Sequence, residues 1–235
     1  MSRKRLVALA LAVTLAIVVA YQTVASAQRA ASFVAQADAP AVAPGVDVLA
    51  GMAQIPLRIR VFDYRRAAFG ESWTDDNPAP GGHNGCDTRN DILERDLVDK
   101  TYVSIKRCPT AVATGTLHDP YTNASVAFVR GNQIGASVQI DHIVPLALAW
   151  DLGARDWPED MRLRFANDPA NLLAVGGQAN QDKGDSEPAL WMPPNMAFRC
   201  QYAVQFVAVL RGYGLSVDAA SATVLREAAS TCPTG

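Results

Sequence analysis

Apolar and polar positions alternate in two short stretches near the middle of the chain, "ASVAFVRG" (124–131) and "ASVQIDHIV" (136–144), with "GNQIG" material between them. A period of two marks a half-buried strand, and the short Gly-bearing separation predicts a hairpin joining the pair. In the second stretch Val138, Ile140 and His142 share one face, and Asp141 points to the other. Helical periodicity governs much of the rest. "DTRNDILERDL" (87–97) predicts a helix capped by Asp87 or Thr88, with Ile92, Leu93 and Leu97 on its apolar side. Pro145 suits the first turn of a helix over 145–154, and Pro158 opens another over 158–168. "NLLAV" (171–175) reads as a short strand broken by Gly176 and Gly177; polar helical turns come next over 178–185, ended by Gly184. Two amphipathic helices, 194–214 and 217–231, complete the chain. Strands and helices in this order predict an α+β fold.

The first residues set the expected compartment. Arg3, Lys4 and Arg5 precede an apolar run (6–20), and "ASA" (25–27) supplies small residues at a cleavage position. This is the pattern of a secretory signal peptide over 1–27. Residues 28–50 are rich in Ala, Val and Pro without a period and read as a linker, so the domain is expected over 51–235. Without residues 1–27 the chain carries 18 Lys+Arg against 23 Asp+Glu, a net charge of −5. A protein that grips nucleic acid by bulk charge alone is basic, so this one needs a local cationic patch, a metal, or both. An exported chain with an even cysteine count is expected to form disulfides. Cys86, Cys108, Cys200 and Cys232 allow three pairings, of which the sequentially nearest, Cys86–Cys108 and Cys200–Cys232, is preferred. No C-x-x-C pair points to structural zinc.

A histidine at a strand end is, alone, an ordinary hydrogen-bonding residue, and Asp141 alone would serve as a helix cap. The residues downstream of the pair change that picture. The ordered set "DHIVPL", "AW", "FANDPANLLAV" and "NQDKGD" resembles the HNH endonuclease superfamily. More narrowly it is similar to the C-terminal HNH domain of the GmrSD type and its secreted single-domain relatives. The resemblance spans roughly residues 60–232, including "CDTRNDIL" and "DPYT", and is most specific over 137–191. It implies a ββα-metal core that hydrolyses phosphodiester bonds. His142 would be the general base, Asp141 and Asn180 the metal ligands, and Asn171 the residue that orients the histidine.

The chemistry requires such groups. A histidine can accept a proton from water near neutral pH, and a hard divalent cation takes oxygen ligands while keeping several waters. Many HNH proteins carry a histidine where this chain has Asn180, which makes Mg²⁺ or Mn²⁺ the expected ion rather than Zn²⁺. Asn180 and Lys183, three apart, share a helix face, so Lys183 is placed to contact phosphate beside the metal. Arg89 and Arg130 are the foremost candidates for further phosphate contacts, with Arg65 and Arg66 as additional groove cations. His83, His118 and the four tryptophans read as surface, turn or packing residues. Relatives tend to carry Y-D-R before the F-G pair where this chain has "DYRRAAFG" (63–70), which leaves the role of Asp63 open.

The sequence therefore predicts a secreted or envelope endonuclease acting on DNA before RNA. It predicts no stable membrane association once the signal is cut, and it identifies no protein partner. Two other readings compete: an extracellular binding module on a retired HNH scaffold, and a metallophosphodiesterase for small substrates.

Overall fold

The computed structural model describes residues 40–131 and 137–234. The expected signal peptide and the linker up to residue 39 lie outside them. In chain order the elements are β1 (Gln54–Ile55), α1 (Thr88–Asp96), β2 (Leu97–Ile105), β3 (Cys108–His118), β4 (Ser125–Val129) and β5 (Val138–His142), then α2 (Leu146–Asp151), α3 (Glu159–Asn167), β6 (Leu172–Gly176), α4 (Gly177–Lys183), α5 (Arg199–Gly212), β7 (Val217–Asp218) and α6 (Ala219–Ala229). This is an α+β fold with, among the described residues, three small sheets: antiparallel β2-β3-β4, antiparallel β5-β6, and a short parallel β1-β7 pair.

The hairpin expected between 124–131 and 136–144 does not form. β4 pairs instead with β3, from Thr114↔Val129 to His118↔Ser125. β5 pairs with β6, from Val138↔Gly176 to His142↔Leu172, across an insertion holding α2 and α3. Strands β2 and β3 are not among the elements expected from sequence. β2 is exposed along most of its length, so "LVDKTYVSI" carries no apolar alternation to announce it.

The helices follow their punctuation. The Asp87 side chain accepts from the Asn90 N–H at 2.8 Å and caps α1. Pro145 and Pro158 stand immediately before α2 and α3. Gly184 ends α4 at a positive φ of +54°, which favours glycine.

The β5-β6 pair separates two cores. On one side Val138, Ile140, Leu172 and Ala174 pack with Ile92 and Leu93 of α1 and with Val112, Leu117 and Phe128 of the larger sheet. On the other, Val175 joins the larger core of Tyr121, Phe165, Tyr202, Phe206 and Leu225. The end of α1 also covers the outer edge of β6: Arg95 donates to the Leu172 carbonyl at 2.7 Å, and Asp96 accepts from the Ala174 N–H at 2.8 Å.

Both preferred disulfides are present. Cys86–Cys108 ties the loop before α1 to the start of β3, and Cys200–Cys232 staples α5 to the chain end after α6. Separations of 22 and 32 residues correspond to about 3–4 kcal/mol each in the chain-entropy picture. Residues 40–50, expected from sequence to be linker, lie against this body: Leu49 is buried in the larger core, and Asp47 pairs with Arg226 at 3.0 Å.

Candidate active site

A pocket of about 620 Å³ runs beside β5. Gln139, Ile140, Asp141 and His142 all line it. Consecutive strand residues point to opposite faces, so a pocket reached by all four lies along the strand's edge. The strand therefore needs no bend to bring Asp141 and His142 to one site. Asn180 and Asp185 line the pocket from the side of α4, and Tyr64, Arg66, Trp73 and Arg89 line it as well.

Asp141 and Gln139 point toward α4. Lys183 Nζ donates to Asp141 Oδ2 at 2.7 Å and to the His142 carbonyl at 2.7 Å. The Tyr121 hydroxyl donates to the same Oδ2 at 2.5 Å. Burial raises the Asp141 carboxyl above its ordinary value, opposed by Lys183 and Tyr121. Burial likewise lowers the Lys183 ammonium, opposed by Asp141. Each partner offsets part of the cost of burying the other's charge. Lys183 has no exposed surface and does not line the pocket. The direct phosphate contact expected of it is therefore replaced by an internal one: it is the counter-ion of Asp141.

Gln139 makes the second link to α4. Its Oε1 accepts from Asn180 Nδ2 at 2.7 Å, which occupies the amide nitrogen and leaves Asn180 Oδ1 as the oxygen for a ligand. Asp141 Oδ1 is similarly outside the bonds that Tyr121 and Lys183 make to Oδ2. One carboxylate and one amide oxygen fit a hard divalent cation completed by water and phosphate. Among the described residues there is no cluster of three or more His, Cys, Asp or Glu of the kind a zinc site uses.

His142 occupies the opposite face. Its Nε2 lies 2.9 Å from the Ala166 carbonyl. A carbonyl only accepts, so Nε2 carries the proton and Nδ1 keeps a free lone pair. The Trp73 indole stacks on the imidazole, with centroids 5.5 Å apart and planes 15° from parallel. Trp73 holds a left-handed backbone (φ +60°), unusual for a bulky residue. Burial pushes the His142 pKa down to about 3, so the ring is neutral at physiological pH. The Ala166 carbonyl opposes that shift, whereas the charges of Arg66 and Lys183 add to it.

Asn171 directs its side-chain hydrogen bonds to the Val144 backbone and not to the imidazole. Fully buried, it accepts from the Val144 N–H through Oδ1 at 2.8 Å and donates to the Val144 carbonyl at 3.3 Å, while its own carbonyl accepts from Ile143 N–H at 2.8 Å. These bonds hold the turn at Ile143 and Val144, immediately after His142 at the end of the strand.

The arginines divide. Arg66 and Arg89 line the pocket. Arg89 is half-buried, with its Nη2 donating to the Val138 carbonyl at 3.1 Å. Arg130 is turned away, bonded to the Val112 carbonyl and to Asn90, and Arg65 is not part of the lining. The expected phosphate contact by Arg130 is thus corrected: its guanidinium joins β3 to α1. Asp63 accepts from the Trp150 indole N–H at 2.9 Å, a packing role outside the pocket. His83 and His118 also lie outside it. Sequence reasoning misses Gln139 and Tyr121 and takes Trp73 for a packing residue; the phase of Gln139 with Asp141 on β5 is the available signal for the first.

Residues 87–228 match the family model described as "GmrSD restriction endonucleases, C-terminal domain". The chain is also 36% identical over 149 residues to an "Uncharacterized secreted protein" of Arthroderma benhamiae, covering 63% of this chain and 68% of that protein.

Proposed function

Because the chain belongs to the family of GmrSD restriction endonuclease C-terminal domains, an HNH-type nuclease family, we propose that it is a metal-dependent endonuclease hydrolysing phosphodiester bonds, with DNA the preferred substrate. The observation that carries this reading is the convergence of Asp141, His142, Asn180, Arg66 and Arg89 on one pocket.

Asp141 and Asn180 would hold the ion. When bound, Mg²⁺ or Mn²⁺ would neutralise phosphate charge and stabilise the departing oxygen. The remaining work falls to the chain's own side chains. His142 Nδ1 accepts a proton from the attacking water. The resulting imidazolium keeps its Nε2–H on the Ala166 carbonyl, now charge-assisted, and lies against the Trp73 face, where a cation is favoured. A phosphodiester beside Arg66 would also offset the positive charge that disfavours protonation of the ring. Lys183 holds Asp141 in place, and Asn171 holds the backbone that carries His142.

The similarity to a protein called secreted, and the cleavable pattern over 1–27, support export. Among the described residues no helix is long and apolar enough to cross a membrane. The test of activity is incubation of the oxidised protein with supercoiled plasmid in Mg²⁺, Mn²⁺ or EDTA, with an RNA substrate in parallel. Degradation with metal and none with EDTA is expected. Equal activity in EDTA, or no hydrolysis with any metal, would defeat the proposal. Failure to bind any divalent ion would favour the retired scaffold.

A further inference from the structure

The segment 57–66, "LRIRVFDYRR", leaves an apolar surface uncovered beside the pocket. Leu57 and Ile59 are 64% and 69% exposed, and Phe62 is fully exposed. The intervening arginines turn the other way. Arg58 is buried against Asp151, Asp185 and Glu187, and Arg60 reaches Asp185 at 2.6 Å. Asp185 lines the pocket, as do Tyr64 and Arg66 of the segment itself. The salt bridges therefore anchor this strip as a continuation of the pocket wall while its apolar side chains face solvent. Arg65 and Arg66, both exposed, add positive charge at the same end.

An exposed aromatic beside two exposed arginines, in a chain of net negative charge, is complementary to a polyanion that carries flat apolar groups. Nucleic acid is such a polyanion: arginines meet phosphates while an aromatic face stacks on a base. In a duplex the base faces are already stacked on one another, so a strand that engages Phe62 must offer an unpaired base. Resting on the nuclease reading, we propose that 57–66 is a docking strip for single-stranded nucleic acid. A base flanking the scissile phosphate stacks on Phe62, and neighbouring phosphates lie on Arg65 and Arg66.

The test compares wild type with Phe62→Ala and Phe62→Trp on three substrates: a single-stranded oligonucleotide, its duplex, and bis(4-nitrophenyl) phosphate, which spans only the pocket. The expected result is a KM for the single strand raised about tenfold in Phe62→Ala and restored in Phe62→Trp. That loss should exceed the losses on the duplex and the small diester severalfold. Equal losses on all three, or none, overturn the strip. Fluorescence anisotropy of a labelled single strand in EDTA reads the same site without hydrolysis. If wild type hydrolyses nothing, the nuclease reading fails and the strip is judged there: about tenfold weaker binding by Phe62→Ala supports it, and unchanged binding overturns it. Phe62-dependent sedimentation with phosphatidylglycerol vesicles, with single-strand affinity unchanged, would assign the strip to a lipid surface and also overturn it.

Discussion

The two faces of β5 are built from different materials. One carries Gln139 and Asp141, tied through hydrogen bonds and a buried ion pair to Asn180 and Lys183 of α4. The other carries Val138, Ile140 and His142, set among apolar side chains and closed by the stacked Trp73 ring. The charged face has the oxygens proposed to hold an ion, and the apolar face keeps a neutral imidazole whose Nε2 is bonded to the Ala166 carbonyl. The edge between them is the place where a cation-bound phosphate and a base can meet. Separation of the faces also lets one be damaged while the other survives.

The largest effect is expected on the apolar face. His142→Ala should lower kcat on plasmid by about 10²–10⁴-fold, the usual contribution of a general base, while its urea midpoint shifts less than that of Lys183→Met. On the charged face Lys183→Met leaves Asp141 buried without its counter-ion, and urea unfolding should show a loss of about 3–5 kcal/mol. A small loss there would mean that Asp141 takes up a proton or that water replaces the ammonium. Asn171→Ala strands the Val144 N–H in a buried turn, with an expected cost of about 1–3 kcal/mol by the same assay. Smallest is Trp73→Leu: removing the ring face beside a developing imidazolium should lower kcat about tenfold or less and leave KM for a small diester nearly unchanged. A rise confined to KM would make Trp73 a substrate contact instead.

Sequence was most informative where local chemistry decides structure. Asp87, Pro145, Pro158 and Gly184 each mark a helix boundary that the fold keeps, because capping and backbone restriction act within a few residues. The site's outline was legible for a related reason: Asp141 and His142 end one strand, and Asn180 sits on the helix that follows its partner strand. What escaped was decided at long range. β5 chose β6 over its nearer neighbour, from beyond α2 and α3. Lys183 resembles any solvated lysine until Asp141 and the His142 carbonyl, from a strand more than forty residues earlier, take its ammonium into the interior. Trp73 comes from a Gly/Pro-rich loop whose path no periodicity predicts, and Arg130 is drawn away by Asn90, forty residues distant.

In the proposed division of labour between the two faces, Asp141 and Asn180 hold the ion and His142 takes the proton. Calorimetric titration of His142→Ala with Mn²⁺, beside wild type and Asn180→Ala, tests it most directly. His142→Ala is expected to bind Mn²⁺ within about threefold of wild type although it no longer cleaves plasmid, whereas Asn180→Ala binds at least about tenfold more weakly. Loss of Mn²⁺ binding in His142→Ala, or undiminished binding in Asn180→Ala, would contradict it.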